Sequence, residues 1–240
     1  MRVSRYHKGD NITYALGATV TMEYLVNSPQ SVSAVILHPD TSTEISDRIK
    51  ELCKDTGIEV TCDTKAFNIL SQKENCFVIG VIDVTAGKIV SGSHVVLVNP
   101  SNSGNLGTIV RSCAGFGVDG IAIILPAADI HDPKTIRASM GATSRVKVEV
   151  FNTFDEYRAR FPENNLYPFM LDGSTLLQET EILSPFSLIM GNEGSGLPDE
   201  FKDIGQPVRI EHTDAIDSLN LPIATSIGLY EATKKRFIEK

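Results

Sequence analysis

The sequence predicts an α/β protein in two parts: a small N-terminal α/β domain over residues 1–88 and a parallel-sheet domain over 89–240. Three observations predict it. Short apolar strand candidates alternate with helical periodicities along both parts. In the second part most strand candidates are separated by helical patterns, which implies a parallel sheet covered on both faces. Between the parts, Asp83 to Ser93 carries Ala86-Gly87-Lys88 and Ser91-Gly92-Ser93, which break the periodicity and mark a linker.

Each element follows in order. A helical pattern from Ala15 to Asn27 leads to the strand-like Val32–Leu37. A charged amphipathic helix is predicted from Glu44 to Thr56, then a short β-rich run at Ile58–Thr61. A further helix follows at Thr64–Leu70, and a strand at Cys76–Ile82. In the second part the strand candidates are Val95–Asn99, Gly120–Leu125, Val146–Val150, Tyr167–Leu171, Ser187–Gly191 and Pro207–Glu211.

Composition bounds the function. Of 240 residues, 42% are hydrophobic, enough for a substantial core. No apolar run approaches the roughly 20 residues that span a bilayer. Met1-Arg2-Val3-Ser4-Arg5 lacks the apolar stretch and cleavage site of a signal peptide, so a cytoplasmic protein is expected. Cys53, Cys62, Cys76 and Cys113 have no CxxC spacing, and the five histidines form no ligand pattern, so no metal site is expected. A net charge of −8 argues mildly against nucleic acid as a partner. The small basic groupings, such as Arg137 to Lys147, read as solvated faces. Composition alone does not suggest RNA.

Three loops can carry chemistry. The first, Asn99-Pro100-Ser101-Asn102-Ser103-Gly104-Asn105-Leu106-Gly107, follows a strand and opens a helix, with Asn105 read as its N-cap. Leu106, Ile109, Val110 and Cys113 share one helical face, predicted to be buried. Arg111 lies off that stripe, free to reach a site. The dinucleotide spacing Gly-x-Gly-x-x-Gly is absent, which disfavours a nucleotide-dependent oxidoreductase. The alternative is a purely structural strand-to-helix turn.

The second loop, Gly191-Asn192-Glu193-Gly194-Ser195-Gly196, follows a buried strand. Its glycines suit a backbone that wraps a flat ligand or turns sharply. Glu193 either accepts hydrogen bonds from a substrate or caps nearby backbone N–H groups. The third loop runs from Ile210-Glu211-His212 to Ser218-Leu219-Asn220-Leu221-Pro222. Pro222 fits only the first turn of a helix, which places the cap near Ser218 to Asn220, at a positively polarised N-terminus.

Together and in this order, Asn-x-Gly-Asn-Leu-Gly-x-x-x-Arg, Gly-Asn-Glu-Gly-x-Gly and Ser-Leu-Asn resemble the signature motifs of the SpoU (TrmH-type) RNA 2′-O-ribose methyltransferases of the SPOUT superfamily. The resemblance covers roughly 95–240. Residues 1–88, including Glu74-Asn75-Cys76-Phe77, look like the small ribosomal-protein-like RNA-binding domain of many ribosomal-RNA members. One departure stands at Ile210, which is followed by Glu211-His212 where the family often has Pro.

The resemblance implies a parallel sheet tied in a trefoil knot, S-adenosyl-L-methionine as methyl donor, and a homodimer whose sites include residues of both protomers. It implies donor contacts from Gly191, Ile210 and Leu219, and a catalytic group of Asn105, Arg111, Glu193, Ser218 and Asn220. The substrate it implies is ribosomal RNA, with transfer RNA as the nearest alternative. A catalytically silent RNA-binding protein of the same fold is a further alternative, against which the intact Arg111, Glu193 and Asn220 stand. Arginine is a cation throughout the ordinary pH range, and neutralising it near pH 7 would cost about 7–9 kcal/mol. Arg111 is therefore expected to grip a phosphate and stabilise a developing alkoxide rather than to act as a base.

Overall fold

The computed structural model describes residues 3–71, 75–172 and 175–238, so Glu74 of the N-terminal resemblance lies outside the described residues. In chain order the first strands and helices are β1 (Ile12–Leu16), α1 (Ala18–Asn27), β2 (Val32–Leu37), α2 (Thr43–Cys53), β3 (Glu59–Cys62), α3 (Thr64–Leu70) and β4 (Val78–Asp83). There follow β5 (His94–Val98), α4 (Ser103–Phe116), β6 (Gly120–Ile124), α5 (Pro133–Ala138), β7 (Val148–Phe151) and α6 (Phe154–Arg160). The chain ends with β8 (Asn165–Pro168), β9 (Thr175–Leu176), β10 (Phe186–Met190), β11 (Val208–Arg209) and α7 (Leu221–Ile238). They pack as two units: Met1–Ala86 with Asp129–Arg145, and Gly87–Ala128 with Val146–Lys240.

The first unit is a four-stranded sheet in the order β1-β4-β2-β3. Strand β4 is antiparallel to β1 and β2, and β2 is parallel to β3. Successive side chains of a strand point to opposite faces, and β2 fills both. Val35 packs with Val20, Leu25 and Ile49 from α1 and α2. Its neighbours Ala34 and Ile36 pack with Ala66 and Phe67 from α3. The helical periodicity begins at Ala15, but Ala15 and Leu16 pair with Gly80 and Ile79 as strand, and Gly17 at φ +114° separates strand from helix. The apolar residues of β1 simply continued the helical pattern.

A second difference from the pattern concerns Asp129–Arg145, which lies in sequence within the expected C-terminal part 89–240. This segment folds with the first unit. Ile136 of α5 is 1% exposed within the first unit's core. Thr143 Oγ1 and Tyr24 Oη are 2.9 Å apart, and Arg145 Nη2 lies 2.7 Å from Glu23 Oε2.

The second unit is a five-stranded, all-parallel sheet in the order β7-β6-β5-β10-β8. Its central strands are wholly buried, as the apolar runs required. One face packs Tyr157, Phe161 and Phe201 against Val96, Ala122 and Ile189. Helix α4 buries Leu106, Ile109, Val110 and Cys113 completely, the stripe that its periodicity marked. Pro207–Glu211 is strand only at Val208–Arg209, which leaves the main sheet and pairs with β9 in a two-stranded ribbon. The chain runs from β5 to β6 and β7 on one side, while β10 and β8 lie on the other. In open parallel sheets such a reversal leaves a crevice outside the carboxyl ends of the strands, where ligands bind.

Candidate active site

The first loop leaves β5 at Asn99, which takes φ +54° while its N–H still donates to the Ile124 carbonyl at 3.0 Å. Helix α4 is capped by Asn102, not by Asn105 as its sequence position had indicated. Asn102 Oδ1 accepts from the N–H groups of Gly104 at 2.8 Å and Asn105 at 3.0 Å. A cap must precede the orphan N–H groups by two or three residues, and only Asn102 does so here. Asn105 sits inside the first turn, and its Nδ2 donates to Glu193 Oε1 at 3.3 Å.

The second loop closes on itself. Asn192 and Gly196 exchange backbone hydrogen bonds of 3.1 and 3.0 Å, with Gly196 at φ +69°. A Cβ on Gly191 would stand 2.2 Å from the Gly196 carbonyl carbon and 2.4 Å from the Leu197 nitrogen. The turn itself therefore demands glycine at 191.

Glu193 joins the two loops. Its Oε2 accepts from the Ser101 N–H at 2.9 Å and the Ser101 hydroxyl at 2.8 Å, and its Oε1 from the Asn102 N–H at 3.1 Å. Burial would raise its carboxyl, but these hydrogen bonds outweigh burial and hold it below its ordinary value. Glu193 is thus an ionised capping carboxylate.

The third loop delivers Ile210, Ser218 and Leu219 to a cavity of about 500 Å³ that Gly191 and Glu193 also line. Helix α7 starts as Pro222 requires, with the Asn220 carbonyl accepting from Ile223 and Ala224 at 2.9 and 3.0 Å. Of the residues that the motifs single out for catalysis, the structure brings Asn105 and Glu193 into contact, and Glu193 and Ser218 line the same cavity. Arg111 is exposed on α4. Asn192, Ser101 and Asn102 escaped the sequence reading of the site; an Asn three residues before Asn105 was the available signal for the true cap.

The cavity suits a mixed ligand. Met190, Leu197 and Val208 supply apolar walls, the turn supplies backbone groups, and Asp172 and Asp199 supply carboxylates, both paired with Lys202. Its volume is typical of small-molecule sites. Among the described residues, no group of three or more His, Cys, Asp or Glu side chains is placed to hold a metal ion. No helix among them is long and apolar enough to cross a membrane.

Comparison with known proteins agrees with this geometry. A 23S rRNA (uridine(2479)-2′-O)-methyltransferase of Streptomyces viridochromogenes is 30% identical over 150 residues, 59% of this chain and 52% of its own length. A putative tRNA (cytidine(34)-2′-O)-methyltransferase of Listeria innocua is 29% identical over 150 residues, 60% of this chain and 88% of its own. The chain thus spans about half the length of several curated relatives that it matches. The crystal structure of an AdoMet-bound rRNA methyltransferase from Sinorhizobium meliloti superposes with a TM-score of 0.79 at 25% identity, covering 94% of this chain and 88% of that one. The model of the SpoU rRNA Methylase family matches residues 92–230, more than half of the sequence and all three loops, and the chain belongs to that family.

Proposed function

We propose that this protein transfers a methyl group from S-adenosylmethionine to the 2′-oxygen of a ribose in RNA. The observation that carries this reading is the junction of the three loops. Glu193 binds the first loop to the second, and the cavity beside them is finished by Ile210, Ser218 and Leu219 of the third. The AdoMet-bound neighbour supports the choice of ligand.

The donor, when bound, supplies an electrophilic methyl group on a sulfonium cation. Gly191, Ile210 and Leu219 would hold it, with the apolar walls beside its flat base. Glu193, kept ionised by its donors, fixes the loop that carries Asn105. Ser218 and Asn220 stand at the positively polarised start of α7. Arg111, exposed and charged, grips a phosphate of the RNA and stabilises the 2′-oxygen as its proton passes to solvent water. Alignment of the two reactants supplies the rest of the acceleration.

Ribosomal RNA is the substrate we favour. The structure of a protein that methylates C/U34 on tRNA covers 62% of this chain, whereas the rRNA methyltransferase structure covers 94%. The first unit then reads as an additional RNA-binding surface. The assembly we infer is a homodimer, with the knot of the resemblance in each protomer, acting in the cytoplasm. Its support is on α7, where Ile223, Tyr230 and Phe237 recur at seven-residue spacing and are each about half exposed. Comparison of 2′-O-methyl sites in RNA from cells with and without the gene tests the function. One ribose that loses its methyl group on deletion is the expected result.

A further inference from the structure

The side chain of Asn192 belongs to none of the roles assigned above, yet it spans the two loops that Glu193 joins. Its Nδ2 donates to the Asn99 carbonyl at 2.8 Å and approaches Glu193 Oε2 at 3.4 Å. Its Oδ1 accepts from the N–H groups of Gly194 at 2.9 Å and Ser195 at 3.2 Å. A primary amide offers two donors and an acceptor with two lone pairs, and this site engages all of them. No carboxylate, hydroxyl or alkyl side chain of that size can do the same.

The partner at Asn99 is unusual. A residue before proline is normally extended, but Asn99 precedes Pro100 with φ +54°. Such a conformation persists only where its surroundings over-determine it. Two hydrogen bonds do so: the Asn99 N–H held by Ile124, and its carbonyl held by Asn192. That kink turns the chain so that the next two N–H groups, of Ser101 and Asn102, both aim at Glu193.

We propose that Asn192 is a positioning residue. It locks the kink at Asn99 to the second-loop turn and thereby sets the Glu193 carboxylate and the start of α4 for the reaction. This inference rests on the methyltransferase reading for its kinetic consequence, but not for its structural one.

Two variants of the full chain test it: Asn192→Ala removes every side-chain hydrogen bond, and Asn192→Asp keeps the shape but loses both donors. The first readout is amide hydrogen exchange. In Asn192→Ala, the Ser101 and Asn102 amides should exchange faster by about tenfold or more, while amides of β5 and β10 keep their protection. In Asn192→Asp two carboxylates face each other, and one of them takes a proton as pH falls. Exchange at Ser101 and Asn102 should be fast near pH 8 and slow towards the wild-type rate near pH 5, after correction for intrinsic exchange. The second readout is single-turnover methylation of transcribed ribosomal RNA at saturating S-adenosylmethionine, expected to fall about tenfold or more. Unchanged Ser101 and Asn102 exchange in Asn192→Ala overturns the proposal, as does loss of protection throughout β5 and β10. A wild-type chain that neither binds the donor nor methylates RNA would instead overturn the functional reading, and the exchange data would still decide whether Asn192 positions Glu193.

Discussion

The Glu193 carboxylate accepts a hydrogen bond from the Ser101 backbone N–H at 2.9 Å across 92 positions of sequence, linking the ends of two adjacent parallel strands. With the Ser101 hydroxyl, the Asn102 N–H and the Asn105 amide, Glu193 draws four donors from one short segment. A carboxylate so engaged cannot also serve as a ready proton acceptor. Its contribution is to hold the first loop in place.

Glu193→Gln should therefore destabilise the protein by about 1–3 kcal/mol, because the amide must present an N–H₂ where donors already point. The effect should depend on pH in a defined direction. Glu193 is held below its ordinary value of 4.5 in the folded state, so between the two values the unfolded chain binds more protons. The advantage of wild type over variant is complete above about pH 5 and shrinks as pH falls through the folded-state value. Urea unfolding of both proteins from pH 7 to pH 3.5 measures it; a difference that grows in acid would refute the assignment.

Gly191→Ala should lower the melting temperature whether or not donor is present, because the added methyl meets the backbone of Gly196 and Leu197 rather than open space. A cost of about 1–3 kcal/mol is expected for overpacking of this kind. Differential scanning calorimetry decides. An unchanged melting temperature with weakened donor binding would assign the glycine to ligand approach alone.

Much of this arrangement was legible in the sequence. The strand-to-helix loops, the buried stripe Leu106-Ile109-Val110-Cys113 and the helix start at Pro222 follow from local periodicity and backbone chemistry. The misread parts have non-local causes. β1 is a strand because Ala15 and Leu16 pair with Gly80 and Ile79, far along the chain. Asp129–Arg145 joins the first unit through Ile136 and Arg145, which nothing in its own pattern announces. The role of Asn192 depends on a carbonyl 93 residues earlier. Periodicity reports which face is buried, not which distant segment covers it.

Arg111→Lys separates a charged clamp from a base. Arg111 is exposed, so folding should be unaffected. Lysine keeps the charge but loses the planar fork. The clamp predicts activity lower by about one to three orders of magnitude, equivalent to roughly 1.4–4 kcal/mol, with RNA affinity also reduced. A base would instead give a rate that recovers steeply with rising pH, with a midpoint below that of wild type, since the reference value of lysine is about 10.4. The pH–rate profile of single-turnover methylation distinguishes the two.

Tyr230→Glu should disrupt self-association. Tyr230 is 55% exposed at the centre of the Ile223–Phe237 stripe, and a buried, unpaired charge at an interface is strongly unfavourable. Sedimentation equilibrium should show a wild-type dimer and a variant monomer at the same concentration. A monomeric wild type, or a dimeric variant, would remove α7 from the interface.

The central claim is that the three-loop site directs methyl transfer to a ribose oxygen of RNA. Its most direct test is incubation of unmodified ribosomal RNA transcripts with methyl-labelled S-adenosylmethionine and the purified protein, followed by digestion to nucleosides. The predicted result is label in a single 2′-O-methylnucleoside, lost in Arg111→Ala. Label on a base, or no transfer to ribosomal or transfer RNA by a folded protein that binds the donor, would contradict it.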